Sequence, residues 1–335
     1  MPPTEPALQA LAWALEQLDL PSGPALWIGA RPGLHAPPDR RLRGLQDFRP
    51  WRDGAVREGI DCRALDPGDG CTAVSPPPGQ RLILLSPARQ REAVRAEMAR
   101  ALAALTADGV LLVAAANDAG ARSVEADLRQ LCPVLQVHSK HKCRVLLARA
   151  GDRDEAALAA WRDLDAARAL DTGGLLSTPL LGAPGLFAVD RIDSGSALLI
   201  EHLPGDLAGA LADLGSGLGV LAAAALERCR GLRSIDLFEA SARALALSCH
   251  NLREATPPLR GHWCDVGAGL ELSDDPFDVV LSNPPFHEGA RGLPEIGQAF
   301  IRSAARLLRP NGQAWIVANA HLPYESVLAE CFTRT

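Results

Sequence analysis

The sequence predicts an α/β protein that carries two doubly wound, mostly parallel sheets in tandem. Short apolar runs alternate with helix-length amphipathic segments along most of the chain, which is the pattern of repeated strand–helix–strand units. One apolar run ends in a glycine-rich turn at 215–219, and another ends in two prolines at 284–285. Open α/β sheets bind their ligands where strands end at the carboxyl edge, so we expect these two turns to carry the function.

The composition bounds the class of protein. A chain of 335 residues is long enough for two domains, and 47% hydrophobic with 22% charged residues is typical of a soluble globular protein. No apolar run has membrane-spanning length and the N-terminus lacks a secretion leader, so we expect a cytoplasmic protein.

The net charge of −6 does not by itself indicate nucleic-acid binding, although phosphate contacts need only a local basic patch. The eight cysteines include no C-x-x-C pair, so we expect neither a zinc site nor a disulfide framework.

The first half, residues 1–155, is predicted to be a degenerate α/β domain. After an amphipathic N-terminal helix, strands are predicted at 25–29, 81–86, 109–114 and 143–148, with helices over 88–107 and 123–131. This half has no glycine-rich strand-to-helix turn, and the stretch 115–122 is the nearest approach to one. We therefore expect it to bind no cofactor of its own and to support substrate binding or folding.

Two basic stretches of the first half are candidates for RNA contact. The arginines of 39–58 are interleaved with acidic residues, so a salt-bridged, solvated surface is the preferred interpretation there. The run 138–144 is the most basic in the chain, and its Lys140 and Lys142 could contact phosphates. A hairpin edge kept soluble by lysine would show the same pattern.

An acidic, alanine-rich helical link is predicted over 150–175, and a catalytic domain over 170–335. Its first strand runs through Asp213 into the glycine-rich turn and an alanine-rich helix. Glycines let a ligand approach the backbone closely, and a helix N-terminus favours an anionic group. The spacing is more compact than the dinucleotide fingerprint G-x-G-x-x-G and suits S-adenosylmethionine. We expect its amino-acid end to meet the residues of this turn and its ammonium to face the preceding aspartate: Asp213, Gly215, Ser216, Gly217 and Gly219.

Two further carboxylates are candidate cofactor ligands. Glu239 ends the next predicted strand, where a carboxylate can accept both ribose hydroxyls. Asp236 is a rival, but Glu239 has the better terminal position. Asp265 follows the third strand and could accept a hydrogen bond from the adenine amino group, or could equally cap a helix.

The motif Asn283-Pro284-Pro285-Phe286 suits methylation of a planar exocyclic amine. Such an amine is a poor nucleophile because its lone pair is delocalised into the ring. If the Asn283 side-chain oxygen and the Pro284 carbonyl each accept one N–H, the nitrogen is pushed towards pyramidal geometry. Phe286 would stack on the base and fix its plane. We therefore predict catalytic roles for all four residues, with Asn283 also beside the cofactor.

The order of these elements resembles the class I S-adenosylmethionine-dependent methyltransferases. The phenylalanine after the prolines and the upstream Phe187…Asp193-Ser194-Gly195-Ser196 segment make the chain similar to the RsmC-type ribosomal RNA guanine-N2 methyltransferases over nearly its whole length. That resemblance implies two tandem Rossmann-like methyltransferase domains, the first without its cofactor site. Candidate substrate contacts are Phe187, Asp193, Ser196, His287, Lys140 and Lys142, with a local structural role preferred for His287.

The resemblance implies methyl transfer from S-adenosylmethionine to N2 of guanine 1207 of 16S rRNA. We expect in-line displacement of the sulfonium methyl on a flipped or unpaired base, driven mainly by orientation and desolvation. The expected partner is 16S rRNA or the 30S subunit; no metal and no membrane are expected, and the protein is expected to be a monomer. Alternatives are methylation of large-subunit rRNA guanine or of a protein glutamine, and a non-catalytic rRNA-binding assembly factor.

The C-terminus departs from the family pattern. The chain reaches Thr335 where the family continues with a closing pair of strands. Without those strands the edge of the fifth strand of the C-terminal sheet would be uncovered, so either the last strands are missing or something else covers that edge.

Overall fold

A computed structural model describes residues 5–64, 68–270, 275–285, 287–288, 291–292 and 294–334. The chain divides into two compact units, one of residues 1–67 and 72–166, the other of residues 68–71 and 167–335. Each unit contains a mostly parallel sheet, so the predicted fold class is confirmed. None of the helices in the described ranges is both long and apolar enough to cross a bilayer.

The first unit has a seven-stranded sheet in the order β3-β2-β1-β4-β5-β7-β6. Its first five strands pair in parallel, and the hairpin of β6 and β7 closes one side antiparallel. The strands are β1 (Ala25–Ile28), β2 (Leu42–Leu45), β3 (Asp61–Arg63), β4 (Gln80–Leu85), β5 (Leu105–Ala116), β6 (Val134–Lys140) and β7 (Cys143–Arg149). The helices are α1 (Pro6–Gln17), α2 (Arg49–Arg57), α3 (Arg91–Ala104), α4 (Ala121–Leu131) and α5 (Glu155–Trp161).

Alternation along the strands builds two apolar cores in this unit. Ile83 and Leu85 of β4 enter one core, while Leu82 and Leu84 enter the other, because successive strand side chains point to opposite faces. The predicted link helix is α5, whose Leu158 packs into the first of these cores. The arginine-rich stretch forms β2 and α2, where Asp53 pairs with Arg49 and Arg52.

The second unit has a five-stranded, wholly parallel sheet in the order β12-β11-β10-β13-β16. Its strands are β10 (Ala208–Leu214), β11 (Gly231–Glu239), β12 (Leu259–Trp263), β13 (Phe277–Ser282) and β16 (Leu308–Ile316). Two short ribbons accompany it: β8 (Arg168–Ala169) with β9 (Leu181–Gly182), and β14 (His287–Glu288) with β15 (Arg291–Gly292). The helices are α6 (Ser194–His202), α7 (Val220–Arg228), α8 (Ala242–Asn251), α9 (Pro294–Leu307) and α10 (Glu325–Cys331). Among the described residues, β16 is an edge strand.

The central strand β13 is buried along its whole length, as its run of apolar residues requires in a sheet covered on both faces. Asp278 near its start locks it to β10 and β11. Its carboxylate accepts the Ala210 backbone N–H at 2.7 Å and pairs with the guanidinium groups of Arg233 and Arg309. Gly209 is required beside it, because a Cβ there would lie 2.0 Å from Asp278 Oδ2. These contacts at the start of β13 hold it beside β10, and in their parallel register Leu214 lies opposite Ser282 at the carboxyl ends of the two strands. We call these contacts the lock at the start of β13.

Candidate functional site

The glycine turn and the proline turn lie next to each other at one edge of the second sheet. Strands β10 and β13 pair in parallel with Leu214 opposite Ser282. Gly215 and Asn283 therefore leave adjacent strands at the same carboxyl edge. Ser282 Oγ donates a 2.8 Å hydrogen bond to the Leu214 carbonyl, which holds the two strand ends together.

The glycine turn depends on left-handed backbone conformations. Gly215 and Gly219 have φ angles of 72° and 81°, which glycine adopts without the Cβ penalty of other residues. The Gly215 N–H donates to the Phe238 carbonyl at 2.8 Å, so the turn bends back over the end of β11. Gly219 then precedes the first turn of α7.

Asp213 is fully buried directly before this turn. Its Oδ2 accepts the Ala222 N–H of α7 at 3.2 Å, while Oδ1 has no hydrogen-bond partner. Burial raises the pKa of Asp213 to about 7; the Ala222 N–H opposes that shift and the charge of Glu239 adds to it. A buried carboxylate with an open oxygen is suited to receive a cationic N–H donor.

Glu239 ends β11 and connects the glycine turn to α8. Its two carboxylate oxygens accept the backbone N–H groups of Gly217 at 2.8 Å and Ser241 at 2.9 Å. The rival Asp236 is buried within the strand, where Arg260 donates to it twice and His262 Nε2 lies 2.6 Å away. The Asp236 carboxylate is thus paired with the side chains of Arg260 and His262 on β12, whereas Glu239 lies at the end of β11. The ribose contact of Glu239 stays a prediction.

Asp265 follows β12 and starts the short 3-10 helix Val266–Ala268, whose Ala268 N–H it accepts at 3.2 Å. The helix-cap role considered for this residue is therefore present. The carboxylate remains partly exposed, and its adenine contact stays a prediction.

Asn283 is held by residues of α6. Its Nδ2 lies 3.1 Å from both carboxylate oxygens of Asp193 and 3.0 Å from Ser196 Oγ. Asp193 also caps α6 by accepting the N–H groups of Gly195 and Ser196. The Asn283 Oδ1 atom is buried and has no hydrogen-bond partner.

Three buried polar atoms without partners therefore surround the two turns: Asp213 Oδ1, Ser216 Oγ and Asn283 Oδ1. Buried polar atoms are nearly always hydrogen-bonded in folded proteins, and an unmet one costs about 1–3 kcal/mol. The Asn283 oxygen and the ionised Asp213 carboxylate can only accept a hydrogen bond, and the hydroxyl can also accept one. The arrangement is suited to a ligand that brings N–H or O–H donors.

The remaining residues predicted for this site are placed as follows. Pro284 is buried and Pro285 is exposed. Phe286 lies outside the described residues, as does the side chain of His287, so their predicted roles stay predictions. Phe187 is 71% exposed, beside Ala188 at a φ of 53°.

The two lysines predicted to contact RNA belong to the first unit. Lys140 Nζ lies 4.8 Å from the centre of the Trp13 ring, and His138 meets the same ring edge-on at 5.1 Å. Lys142 lies in the turn between β6 and β7 with a φ of 60°. A cation and an aromatic surface thus occur together there, and the RNA role of both lysines stays a prediction.

One group of possible metal ligands occurs in the described part of the chain. Asp69, Cys71 and His250 each place one ligand atom within 4.8 Å of the others. Burial and the charge of Asp69 raise the pKa of the Cys71 thiol, which disfavours the thiolate that a metal requires.

The first unit repeats the hydrogen-bond pattern of the glycine turn, which the sequence analysis missed. Gly29 follows β1 with a φ of 75°, and its N–H donates to the Leu45 carbonyl at 3.0 Å, as Gly215 does to Phe238. The turn that corresponds to the glycine turn of the second unit is therefore at Gly29, whereas 115–122, the nearest approach in the sequence, leads from β5 into α4. No helix separates β1 from β2. The pattern by which such a turn is recognised, a strand that runs through glycine into a helix, is therefore missing.

Equivalent positions in the two units carry different chemistry. By strand register, Trp27 corresponds to Asp213, Gln46 to Glu239, and Ser86 to Asn283. The Trp27 indole is fully buried and donates to Ser86 Oγ at 3.1 Å. Gln46 donates to the Ala30 carbonyl and accepts the Phe48 N–H. The three side chains of the first unit are neutral and hydrogen-bonded. In the second unit, by contrast, Asp213 Oδ1 and Asn283 Oδ1 have no hydrogen-bond partner.

Comparison with known proteins identifies the second unit. Residues 177–335 match the family model of the methyltransferase small domain. The "Ribosomal RNA small subunit methyltransferase C" proteins of Klebsiella pneumoniae and Cronobacter sakazakii are each 35% identical over 224 residues, which are 66% of this chain and 61% of each relative. The chain thus spans less than two thirds of the length of these curated relatives.

The fold has a counterpart among solved structures. The T. thermophilus 16S rRNA N2 G1207 methyltransferase (RsmC), solved in complex with AdoMet and guanosine, matches 98% of this chain and 87% of its own length at a TM-score of 0.76 and 23% identity. The match extends over both units and supports their common fold. The chain is therefore similar in sequence to the small-subunit ribosomal RNA methyltransferase C proteins and similar in fold to the T. thermophilus structure, and its residues 177–335 match the methyltransferase small domain.

Proposed function

We propose that this protein transfers a methyl group from S-adenosylmethionine to the exocyclic N2 of a guanine in small-subunit 16S rRNA. The observation that carries the proposal is the set of partnerless buried atoms at the adjacent strand ends, Asp213 Oδ1, Ser216 Oγ and Asn283 Oδ1. A cofactor ammonium and a nucleobase amine together bring N–H donors that these atoms lack.

The residues present fit the cofactor. Asp213 would receive its ammonium, Glu239 its ribose hydroxyls and Asp265 its adenine amino group, while Gly215 and Gly217 leave room for the backbone to approach it. When bound, the cofactor supplies an electrophilic methyl on a sulfonium. Burial of Asp213 strengthens its attraction for a cation, because charges interact more strongly in a region of low dielectric constant.

The methyl acceptor would be oriented by the proline turn. Asn283 Oδ1 and the Pro284 carbonyl would each accept one N–H of the amine, so that its lone pair points out of the ring plane towards the methyl group. The nitrogen would form a bond to the methyl carbon as the sulfur–carbon bond broke, and the proton would then pass from the nitrogen to water. No strong base is needed, and catalysis comes from positioning and exclusion of water. Stacking of the base on Phe286 stays part of the proposal.

The target rests on the relatives. The curated relatives are named for small-subunit ribosomal RNA, and the T. thermophilus enzyme is named for G1207 and was solved with guanosine. We propose the same nucleotide for this chain, in 16S rRNA or the 30S subunit. An rRNA substrate implies that the reaction takes place in the cytoplasm, and we propose that the enzyme acts as a monomer.

We further propose that the first unit binds no cofactor and serves RNA binding or folding. The support is the replacement of Asp213, Glu239 and Asn283 by Trp27, Gln46 and Ser86 at the equivalent positions, with the Trp27–Ser86 hydrogen bond already made. The Lys140 and Lys142 region is the proposed RNA contact.

The test is transfer of labelled methyl from S-adenosylmethionine to four substrates: protein-free 16S rRNA, assembled 30S subunits, 23S rRNA and release factor. We expect label in 16S rRNA or 30S subunits, as N2-methylguanine by nucleoside mass spectrometry. Asn283→Ala should lower the rate of transfer by about 100- to 1,000-fold, to a residual level that labelled methyl still measures, while cofactor affinity by calorimetry stays within about threefold. Label mainly in 23S rRNA or release factor would overturn the proposed substrate. RNA affinity without cofactor binding would identify a non-catalytic factor.

A further inference from the structure

The side-chain amide of Asn283 is held in one orientation. All of its donor capacity faces Asp193 and Ser196, because Nδ2 lies 3.1 Å from each oxygen of the Asp193 carboxylate and 3.0 Å from Ser196 Oγ. An amide rotated by 180° would turn Oδ1 towards two carboxylate oxygens, which only accept hydrogen bonds. That arrangement would be repulsive, so the carboxylate decides which amide atom faces the site.

Asp193 is itself fixed by the backbone of α6. Its Oδ1 accepts the N–H of Gly195 at 2.9 Å and of Ser196 at 3.3 Å. Gly195 lies directly beside the amide, since a Cβ at that position would be in van der Waals contact, 3.4 Å from both terminal atoms of Asn283. The amide is thus contacted by the start of a helix that is separate from the strand after which Asn283 lies.

We infer that Asp193 is a positioning residue that makes Asn283 present an acceptor, Oδ1, to the methyl acceptor, so that the site selects a group carrying N–H. The inference rests on the proposed function and adds Asp193 to it as the residue that acts through Asn283. A carboxylate that accepts from Nδ2 also draws positive charge onto the amide nitrogen and negative charge onto Oδ1, since linked hydrogen bonds polarise one another. The oriented oxygen becomes a better acceptor as the amine gains positive charge during transfer.

The orientation has a consequence for chemical selectivity. A ring nitrogen with a lone pair and no hydrogen, such as N7 of guanine, offers nothing to Asn283 Oδ1. An exocyclic amine offers two donors and leaves its lone pair for the methyl group. The Asp193–Asn283 pair therefore favours N2-methylguanine over 7-methylguanine as product.

The test uses Asp193→Asn, because asparagine is as good an N-cap as aspartate but lacks the charge that orients the amide. We expect kcat to fall about 10- to 100-fold, with the KM for RNA and the cofactor affinity within about threefold and the Tm within a few degrees. Asp154→Asn is the matched control, because Asp154 caps α5 through the Ala157 N–H in the first unit. That variant should keep the wild-type kcat. Ser196→Ala, which removes one acceptor, should lower kcat by about two- to fivefold.

Two further measurements separate positioning from a structural role. Asp193→Asn in an Asn283→Ala background should cause no additional loss of kcat, because the oriented group is already absent. By NMR, the Asn283 side-chain amide protons, assigned by their loss in Asn283→Ala, should exchange at least about tenfold faster with solvent in Asp193→Asn. Wild-type kcat in Asp193→Asn, unchanged exchange, or an equal additional loss in the double variant would each overturn the inference. Absence of methylation by the wild type on every RNA would instead overturn the proposed function, while the exchange measurement would still test the orientation.

Discussion

The Trp27 indole N–H donates a 3.1 Å hydrogen bond to Ser86 Oγ, at the positions where the second unit has Asp213 and Asn283. The two side chains satisfy each other within the first sheet. In the second sheet the corresponding carboxylate and amide each keep an oxygen without a partner. The two units thus share a backbone pattern and differ in whether its polar groups are available to a ligand.

The first prediction concerns stoichiometry. Calorimetry with S-adenosylmethionine should give one site per chain, because a buried indole at Trp27 offers no acceptor to an ammonium. Asp213→Ala should abolish binding, whereas Trp27→Phe should leave cofactor affinity within about threefold. A stoichiometry of two, or loss of binding in Trp27→Phe with the fold intact, would contradict a cofactor-free first unit.

The second prediction concerns the pH dependence of cofactor binding. Because burial raises the pKa of Asp213 to about 7, the carboxyl must lose a proton to pair with an ammonium. Affinity should therefore rise as the pH increases from about 5.5 to 7.5, below the range in which an α-amino group itself titrates, about 7.7–8.0. Asp213→Asn should bind about 10- to 100-fold more weakly at pH 7.5, as expected for loss of a charged hydrogen bond, and its affinity should not change with pH.

The control for that measurement is Asp206→Asn, which neutralises an exposed carboxylate of the same unit. It should retain the wild-type pH profile. A flat profile in the wild-type protein would show that Asp213 does not bind the ammonium.

The third prediction concerns the effect of the same residue on stability. A carboxyl whose pKa is raised in the folded state binds a proton more tightly there than in the unfolded chain. Its stabilising contribution is therefore complete below about pH 4, the ordinary carboxyl range, and is lost as the pH rises through about 7. Without cofactor, the wild type should lose more unfolding free energy between pH 4 and 7 than Asp213→Asn does, as measured by urea denaturation. Parallel profiles for the two proteins would contradict it.

The fourth prediction separates the two carboxylates of β11. Glu239→Gln should weaken cofactor binding about tenfold, since the amide loses one acceptor towards Gly217 or the ribose. Asp236→Asn is the matched control: it removes the charge that pairs with Arg260 and should lower Tm while leaving cofactor affinity within about twofold. The reverse pattern would assign the ribose contact to Asp236.

The fifth prediction concerns the lock at the start of β13. Burial would raise the pKa of Asp278, but the Ala210 N–H, the Arg233 hydrogen bond and the charges of Arg309 and Arg233 lower it overall. Asp278→Ala should reduce the unfolding free energy at pH 7 by about 1–3 kcal/mol, because it leaves a buried N–H unsatisfied. Since a lowered pKa stabilises only above the unfolded value, the difference from wild type should shrink as the pH falls below about 4. A difference that persists at low pH would mean that packing, and not charge, provides the stabilisation.

The sequence predicted most of the parallel strands of both units because their signal is local, whereas β2 and β3 lie in stretches for which it predicted no strand. Apolar runs such as 82–85 and 279–281 are buried on both faces, and the proline pair and glycine turn mark strand ends through their own backbone restrictions. The turn at Gly29 was missed because the helix that normally follows such a turn does not occur between β1 and β2.

By itself the sequence determined the fold class, the two turns that form the candidate site, and the resemblance to the RsmC-type enzymes. These depend on residue type, period and spacing, which act over a few positions of the chain. Only the tertiary structure decided that the Asp193 carboxylate, 90 positions before Asn283, accepts hydrogen bonds from its amide, that the Asp236 carboxylate pairs with Arg260, and that Trp27 takes the place of Asp213. Those relationships arise where strand register and helix packing bring distant side chains within hydrogen-bonding distance, and that proximity has no local pattern in the sequence.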